Sequence, residues 1–145
     1  MIAIACDHGA YDLKETVKDW LLAQGYAVED FGTYSSDSVD YPDFGGAAAR
    51  AVSEGLCERG IVLCTSGIGI SIAANKVHGI RCALCLNPLM AELGRSHNDA
   101  NMLGLSAGLV GDMMNLRIVE TFLSTEFSGG RHQTRVDKIM ALEEV

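Results

Sequence analysis

Gly60-Ile61-Val62-Leu63-Cys64-Thr65-Ser66-Gly67-Ile68-Gly69 is the stretch that decides the fold. A short apolar run with no polar alternation reads as a strand buried on both faces, the kind found in parallel sheets covered by helices. The glycines after it supply a turn, and Ile72-Ala73-Ala74 carries on as a helix. Cys64 therefore ends a buried strand just before a helix N-terminus, where unpaired N–H groups and a partial positive charge suit a thiolate or an oxyanion. Gly67 and Gly69 let a ligand approach the backbone closely. The same residues also fit an ordinary strand-end cysteine before a βα turn. No third glycine and no Gly-Lys-Ser/Thr completes a dinucleotide or P-loop fingerprint.

Outward from this stretch the pattern repeats. Met1–Ala5 reads as a buried strand, and Leu13, Val17, Trp20 and Leu21 recur at helical spacing between Ala10 and Gln24, with Gly25 as the stop. Tyr26–Phe31 reads as a second strand, and Glu29 and Asp30 place it at an edge or an end. The polar run Gly32–Pro42 is a loop, followed by a small-residue helix over Asp43–Ser53. Downstream, the pattern predicts a strand over Ile80–Leu86, a helix over Pro88–Ser96, a fifth strand within Met102–Val110 and a helix over Met113–Leu123. The tail Gly129–Val145 has a helical pattern through Val136, Ile139, Met140 and Leu142, whose apolar face must pack on the domain or on another subunit. Strands alternating with helices make an α/β fold, one domain over residues 1–145 with a five-stranded parallel sheet covered on both faces. Ligands in such sheets bind beyond the carboxyl ends of the strands. That rule picks out Asp7-His8, Cys64 to Gly69, and the segment around His97.

Composition narrows the partners. A chain of 145 residues can bury one core, and a net charge of −8 repels a nucleic-acid backbone or an anionic membrane while leaving a small anion free to bind local donors. No run approaches the roughly 18 apolar residues of a membrane span. Met1–Cys6 lacks the basic n-region and cleavage site of a signal peptide. Five cysteines, an odd number, point to free thiols in a reducing cytoplasm. Cys82 and Cys85 form a C-x-x-C inside a strand-like run with no second ligand pair, so they read as buried small hydrophobes rather than a zinc site.

Three further groups could do chemistry. His97 lies in the polar run Arg95–Asn101, where it reads as a proton shuttle or as an exposed cap. Asp7 and His8 follow the first strand, as site residues or as turn formers. Arg131 and Arg135, one helical turn apart after Gly129-Gly130, can turn two guanidinium forks to one phosphate, or form a solvated face.

Together these segments resemble the type B ribose-5-phosphate isomerase family and its galactose-6-phosphate isomerase relatives. The resemblance rests on Cys6-Asp7-His8-Gly9, Asp30-Phe31-Gly32-Thr33, Asp40-Tyr41-Pro42, Cys64 with Ser66 to Lys76, Gly79-Ile80-Arg81, His97 to Asn101, and Gly129 to Val136, in that order along the chain. It implies a Rossmann-like domain that forms a homodimer or tetramer with sites at the subunit interface, and an aldose–ketose isomerisation needing no metal or cofactor. It implies Cys64 as the base, since the glutamate that another branch uses a few residues later is Ile70 here. It gives Ser66, Gly67, Gly69 and Ser71 as donors to the enediolate, His97 as the ring-opening group, and Asp7 and Tyr41 as neighbours of the sugar. His8, Arg131 and Arg135 would hold phosphate, and Asn98 the sugar hydroxyls. Two positions depart from the family pattern. Thr65 stands where a glycine commonly follows the cysteine, and Gly108 stands where an arginine commonly helps hold phosphate. These departures predict a wider or weaker phosphate pocket, and keep open a hexose 6-phosphate substrate as well as ribose 5-phosphate. A sugar-phosphate binding module without catalysis is the reading from another class.

Overall fold

The structure is a computed structural model that describes residues 1–144. Five parallel strands, β1 (Ile2–Cys6), β2 (Val28–Asp30), β3 (Arg59–Cys64), β4 (Cys82–Leu84) and β5 (Met102–Ser106), lie in the order β2-β1-β3-β5-β4. The helices are α1 (Tyr11–Ala23), α2 (Tyr41–Ser53), α3 (Ile68–Asn75), α4 (Pro88–Ser96), α5 (Asp112–Ser124) and α6 (Arg131–Ala141).

Residue alternation along the strands divides the core into two layers. Ile2, Ile4 and Cys6 of β1, Ile61 and Leu63 of β3, and Leu103 and Leu105 of β5 face α1, α4 and α5. Ala3, Ala5, Val62, Cys64 and Met102 face α2 and α3, where Ala48, Ala49 and Ala74 complete a layer of small side chains. β1, β3 and β5 are buried along nearly their whole length, which explains their near-continuous apolar sequences.

The outer strands are shorter than their sequences predict. β2 covers Val28–Asp30 of the predicted Tyr26–Phe31, and β4 covers Cys82–Leu84 of the predicted Ile80–Leu86. Each pairs on one side only, with β1 and β5 respectively, so fewer of its residues find ladder partners. α2 starts at Tyr41 rather than Asp43, because Pro42 in its first turn is preset for helical φ and lacks an N–H the helix could not use there.

α6 is the tail helix, and Val136 is its one buried residue. It is moored at the amino edge of the sheet. The Ser128 amide donates to Ser96 O at the end of α4 (3.0 Å), the Arg81 Nη1 lies 3.2 Å from Met140 Sδ, and Glu143 accepts from the Gly79 amide at 2.8 Å. Val145 lies outside the described residues. Among the described residues, no helix is long and apolar enough to cross a membrane.

Candidate active site

At the carboxyl edge the loops after β1, β3 and β5 converge on Cys64. Its side chain is buried, and its sulfur accepts from the Gly67 amide at 3.1 Å. The turn can close this way because Gly67 adopts φ +78, the left-handed region that disfavours other residues. A Cβ there would also lie 2.8 Å from Leu105 O. α3 then starts, with its first-turn amides, including Gly69, free of intrahelical partners. Ser66 Oγ accepts from the Ile68 amide at 3.1 Å, which fixes the loop between the cysteine and the helix.

Around this loop stand other residues expected from the sequence. Asp7 is buried, and its Oδ1 accepts from the Gly9 amide at 3.0 Å, turning the chain sharply after β1. His8 is exposed, and its Nδ1 accepts from the Val39 amide at 3.1 Å, tying the first loop to the one that leads into α2. Tyr41, the first residue of α2, lays its phenol over Gly69, where a Cβ would lie 2.8 Å from the hydroxyl. Asp7, His8, Cys64, Ser66 and Gly67, in the loops after β1 and β3, thus lie at the same carboxyl edge as Tyr41 and Gly69.

Ser71 does not join them. It is 5% exposed, and its hydroxyl packs against Gly104 of β5, where any Cβ would collide with Ser71 Oγ. Its place between Ile70 and Ala74 on the buried face of α3 explains why: the side chain faces the sheet. The structure thus places the Ser71 hydroxyl on the sheet side of α3, buried and without a hydrogen-bond partner among the described residues.

A larger correction concerns His97. The rule for parallel sheets pointed to its segment as a carboxyl-edge loop, but His97 follows α4 and precedes β5, and such a connection lies at the amino edge. Gly60 pairs with Met102 and Cys64 with Ser106, so the His97–Asn101 turn sits by the opposite end of β3 from the cysteine. At the rise of an extended strand those ends are roughly 16 Å apart. Two arginines clasp this turn. Buried Arg95 donates to Asp99 Oδ1 (2.9 Å) and Ala100 O (2.7 Å), and Arg81 donates to Asn98 O (3.1 Å) and Asp99 O (2.7 Å). Asp99 takes φ +47, a left-handed conformation that its short polar side chain tolerates. His97 and Asn98 are held out to solvent, and the His97 ring stacks on His132 of α6 with centroids 4.2 Å apart. Arg131 and Arg135 flank that stack, exposed, with no ion-pair partner among the described residues. The expected residues therefore form two groups at opposite edges of one sheet.

The model of the family described as ribose/galactose isomerase matches residues 2–139. The chain belongs to that family. It is 43% identical over 143 residues to ribose-5-phosphate isomerase B of Escherichia coli, a match covering 99% of this chain and 96% of the relative. Among solved structures, ribose-5-phosphate isomerase B of Clostridium thermocellum superposes with a TM-score of 0.98 at 56% identity, covering 99% of this chain and 97% of that one. The Mycoplasma genitalium ribose-5-phosphate isomerase B with bound ribulose 5-phosphate gives a TM-score of 0.95 at 41% identity, covering 99% and 95%.

In this ribose/galactose isomerase chain, several supports were not singled out in the sequence. Ser106 Oγ donates to Thr65 O (2.9 Å) and accepts from the Leu109 amide (3.1 Å), joining the loops after β3 and β5. Buried Asn115 of α5 donates to Ser106 O (3.1 Å) and Val110 O (3.2 Å), holding the second loop from behind. The sequence signal was polarity at the end of a buried strand and on a buried helix face. Burial pushes the thiols of Cys6, Cys82 and Cys85 up to about 12, and raises that of Cys57, so these four remain protonated at neutral pH. This agrees with the expected packing role of the Cys82/Cys85 pair.

Loss of water where His132 packs, and then the positive charge of His97, Arg131 and Arg135, hold His132 below the usual histidine range. A base whose folded pKa is lowered binds its proton better when undocked, so the docked state loses stability as pH falls. Amide exchange in α6 should therefore quicken as pH falls below the ordinary histidine value near 6.5, after correction for intrinsic rates, and His132→Phe should remove the dependence. An unchanged profile in the variant would refute this.

Proposed function

We propose that this chain is an aldose–ketose isomerase that interconverts ribose 5-phosphate and ribulose 5-phosphate without metal or cofactor. The observation that carries the reading is the Cys64 sulfur at the mouth of the β3–α3 turn, with the first-turn amides of α3 beside it. Taking a proton from the carbon next to a carbonyl builds negative charge on oxygen, and that charge must be met as it forms. Fixed amide donors do this without reorganising, and each is worth about 3 kcal/mol by the measure of removing one oxyanion donor. Cys64 takes the proton from C2 of the open-chain aldose and returns it to C1, and the C2 hydroxyl proton passes to O1. The Gly69 amide, not engaged as the Gly67 and Ile68 amides are, faces an enediolate oxygen. Asp7 and Tyr41 line the sugar, and Ser66 shapes the loop.

His97, Asn98, Arg131 and Arg135 act in the site of a second copy. A two-fold pair of chains running in opposite senses brings the amino edge of one sheet to the carboxyl edge of the other. The partner's arginine pair then receives the phosphate together with His8. The partner's His97 assists ring opening, and its Asn98 meets the sugar hydroxyls. Binding energy at the phosphate, remote from C1 and C2, orients the reacting carbons. The protein works where pentose phosphates are metabolised, in the cytoplasm.

The test is complementation. Cys64→Ala and His97→Ala should each be inactive in converting ribose 5-phosphate. After the two are unfolded together and refolded, mixed pairs contain one site with both residues intact, and roughly a quarter of wild-type activity should return. No recovery, with mixed pairs demonstrated by differently tagged chains, would refute the shared site. A wild-type protein that converts no sugar phosphate would refute the isomerase reading itself.

A further inference from the structure

The two departures from the family pattern, Thr65 and Gly108, meet in space. Gly108 does not have a positive φ, so its backbone would accept any residue. Its neighbour is what excludes a side chain. A Cβ at position 108 would lie 2.8 Å from Thr65 Cγ2 and 3.1 Å from Thr65 O. On the other flank of the same side chain, a Cβ at Gly9 would collide with Thr65 Oγ1. Thr65 is thus wedged between the loop after β1 and the loop after β5, with its methyl toward Gly108 and its hydroxyl toward Gly9.

The wedge is fixed at its base. Thr65 O accepts from the Gly108 amide at 2.8 Å and from Ser106 Oγ at 2.9 Å. The residue is nevertheless exposed, directly after Cys64, and its hydroxyl has no hydrogen-bond partner among the described residues. Losing the side chain at 108 therefore does not widen the cleft by that amount, because Thr65 fills the space instead.

We propose that Thr65 is a specificity-determining residue that works as one unit with Gly108, forming the cleft wall beside Cys64 and limiting the site to pentose phosphates over the longer hexose phosphates. This rests on the isomerase reading above. It reverses the sequence expectation that Gly108 opens the pocket. The three heavy atoms that Thr65 has and glycine lacks are enough to change selectivity between substrates differing by one carbon by about tenfold.

The experiment measures kcat/KM for ribose 5-phosphate and for an aldohexose 6-phosphate, with melting temperatures, in wild type, Thr65→Gly, Thr65→Ser, Gly108→Ala and Thr65→Ser/Gly108→Ala. Wild type should prefer the pentose phosphate, and Thr65→Gly should raise the hexose-to-pentose ratio about tenfold. Gly108→Ala alone should lower kcat/KM about tenfold, since its new methyl presses on the residue beside the base. In the Thr65→Ser background, which removes the opposing methyl, the same change should cost much less. An unmoved substrate ratio in Thr65→Gly would overturn the specificity role. Additive effects of the Ser and Ala changes, in kcat/KM and in melting temperature, would overturn the coupling, and the melting series reads this without any catalysis. If Gly108→Ala does not fold, a folded double variant supports the coupling, and failure of both overturns it. A wild-type protein inactive on both sugars sinks the isomerase reading and the specificity claim with it, while the melting series still decides the packing.

Discussion

Cys64→Ala should lower kcat for ribose 5-phosphate by about a thousandfold, within the range that a single positioned acid–base group contributes. The sulfur stands at the end of β3, held against the Gly67 amide, and no other thiol can take over its work. Cys6, Cys57, Cys82 and Cys85 are packed in or against the core with their protons held on by burial. The change removes one buried atom, so the fold survives with a melting temperature lowered by only a few degrees. Sugar-phosphate affinity should be nearly unchanged, because the proposed phosphate contacts, His8, Arg131 and Arg135, do not include the cysteine. Calorimetric binding of ribose 5-phosphate beside lost turnover is the expected pair of results. Turnover within tenfold of wild type would remove Cys64 from the mechanism. The binding-module reading predicts instead that wild type binds the sugar without exchanging the C1 or C2 proton with solvent.

Lys14→Met should destabilise the folded chain by about 3–5 kcal/mol, the cost of breaking a buried ion pair from one side. Lys14 is fully buried, an exceptional position for a lysine. Its Nζ donates to both carboxylate oxygens of Asp30 at 2.8 Å and to Thr33 O at 2.7 Å. Burial alone would raise the Asp30 carboxyl, but Lys14, the Gly32 amide and Lys18 outweigh it and hold the group below the usual carboxylate range. A carboxylate lowered in this way contributes stability that is present above its unfolded value near 4 and is lost as pH falls toward the folded value. Removing the lysine leaves a carboxylate that is 10% exposed without its main partner. Urea unfolding at pH 7 measures the loss, and Lys14→Met/Asp30→Asn should recover part of it. A loss below about 1 kcal/mol would show that the pair behaves like an exposed one. The pair also bears on the site, since it fixes the chain over Gly32 and Thr33, which bond across the end of β1 and lead on toward Val39 and Tyr41.

The fold was legible because its signals are local and agree. Apolar runs mark β1, β3 and β5, and Gly25 and Pro88 mark helix ends. Glu29 and Asp30 pointed to an edge or an end, and β2 is an edge strand. Legibility failed where a residue's meaning depends on a distant partner. Lys14 lies three residues before Val17 and seven before Leu21, on the buried stripe of α1, so its burial was readable. That Asp30 would meet it was not. Ser71 was assigned by resemblance, although its place on the buried face of α3 argued for packing. His97 teaches a different lesson: element order alone, a helix before and a strand after, puts it at the amino edge, and chemistry suggested the wrong end.

The division of the candidate residues between the two edges has a consequence for how the protein behaves on dilution. On the two-subunit reading a lone chain carries two half-sites and no whole one, so catalysis appears only with association. Specific activity then depends on protein concentration, falling toward zero below the dissociation constant of the pair and levelling off well above it. A cell could set the flux through this step by how much of the chain it makes, more steeply than in proportion.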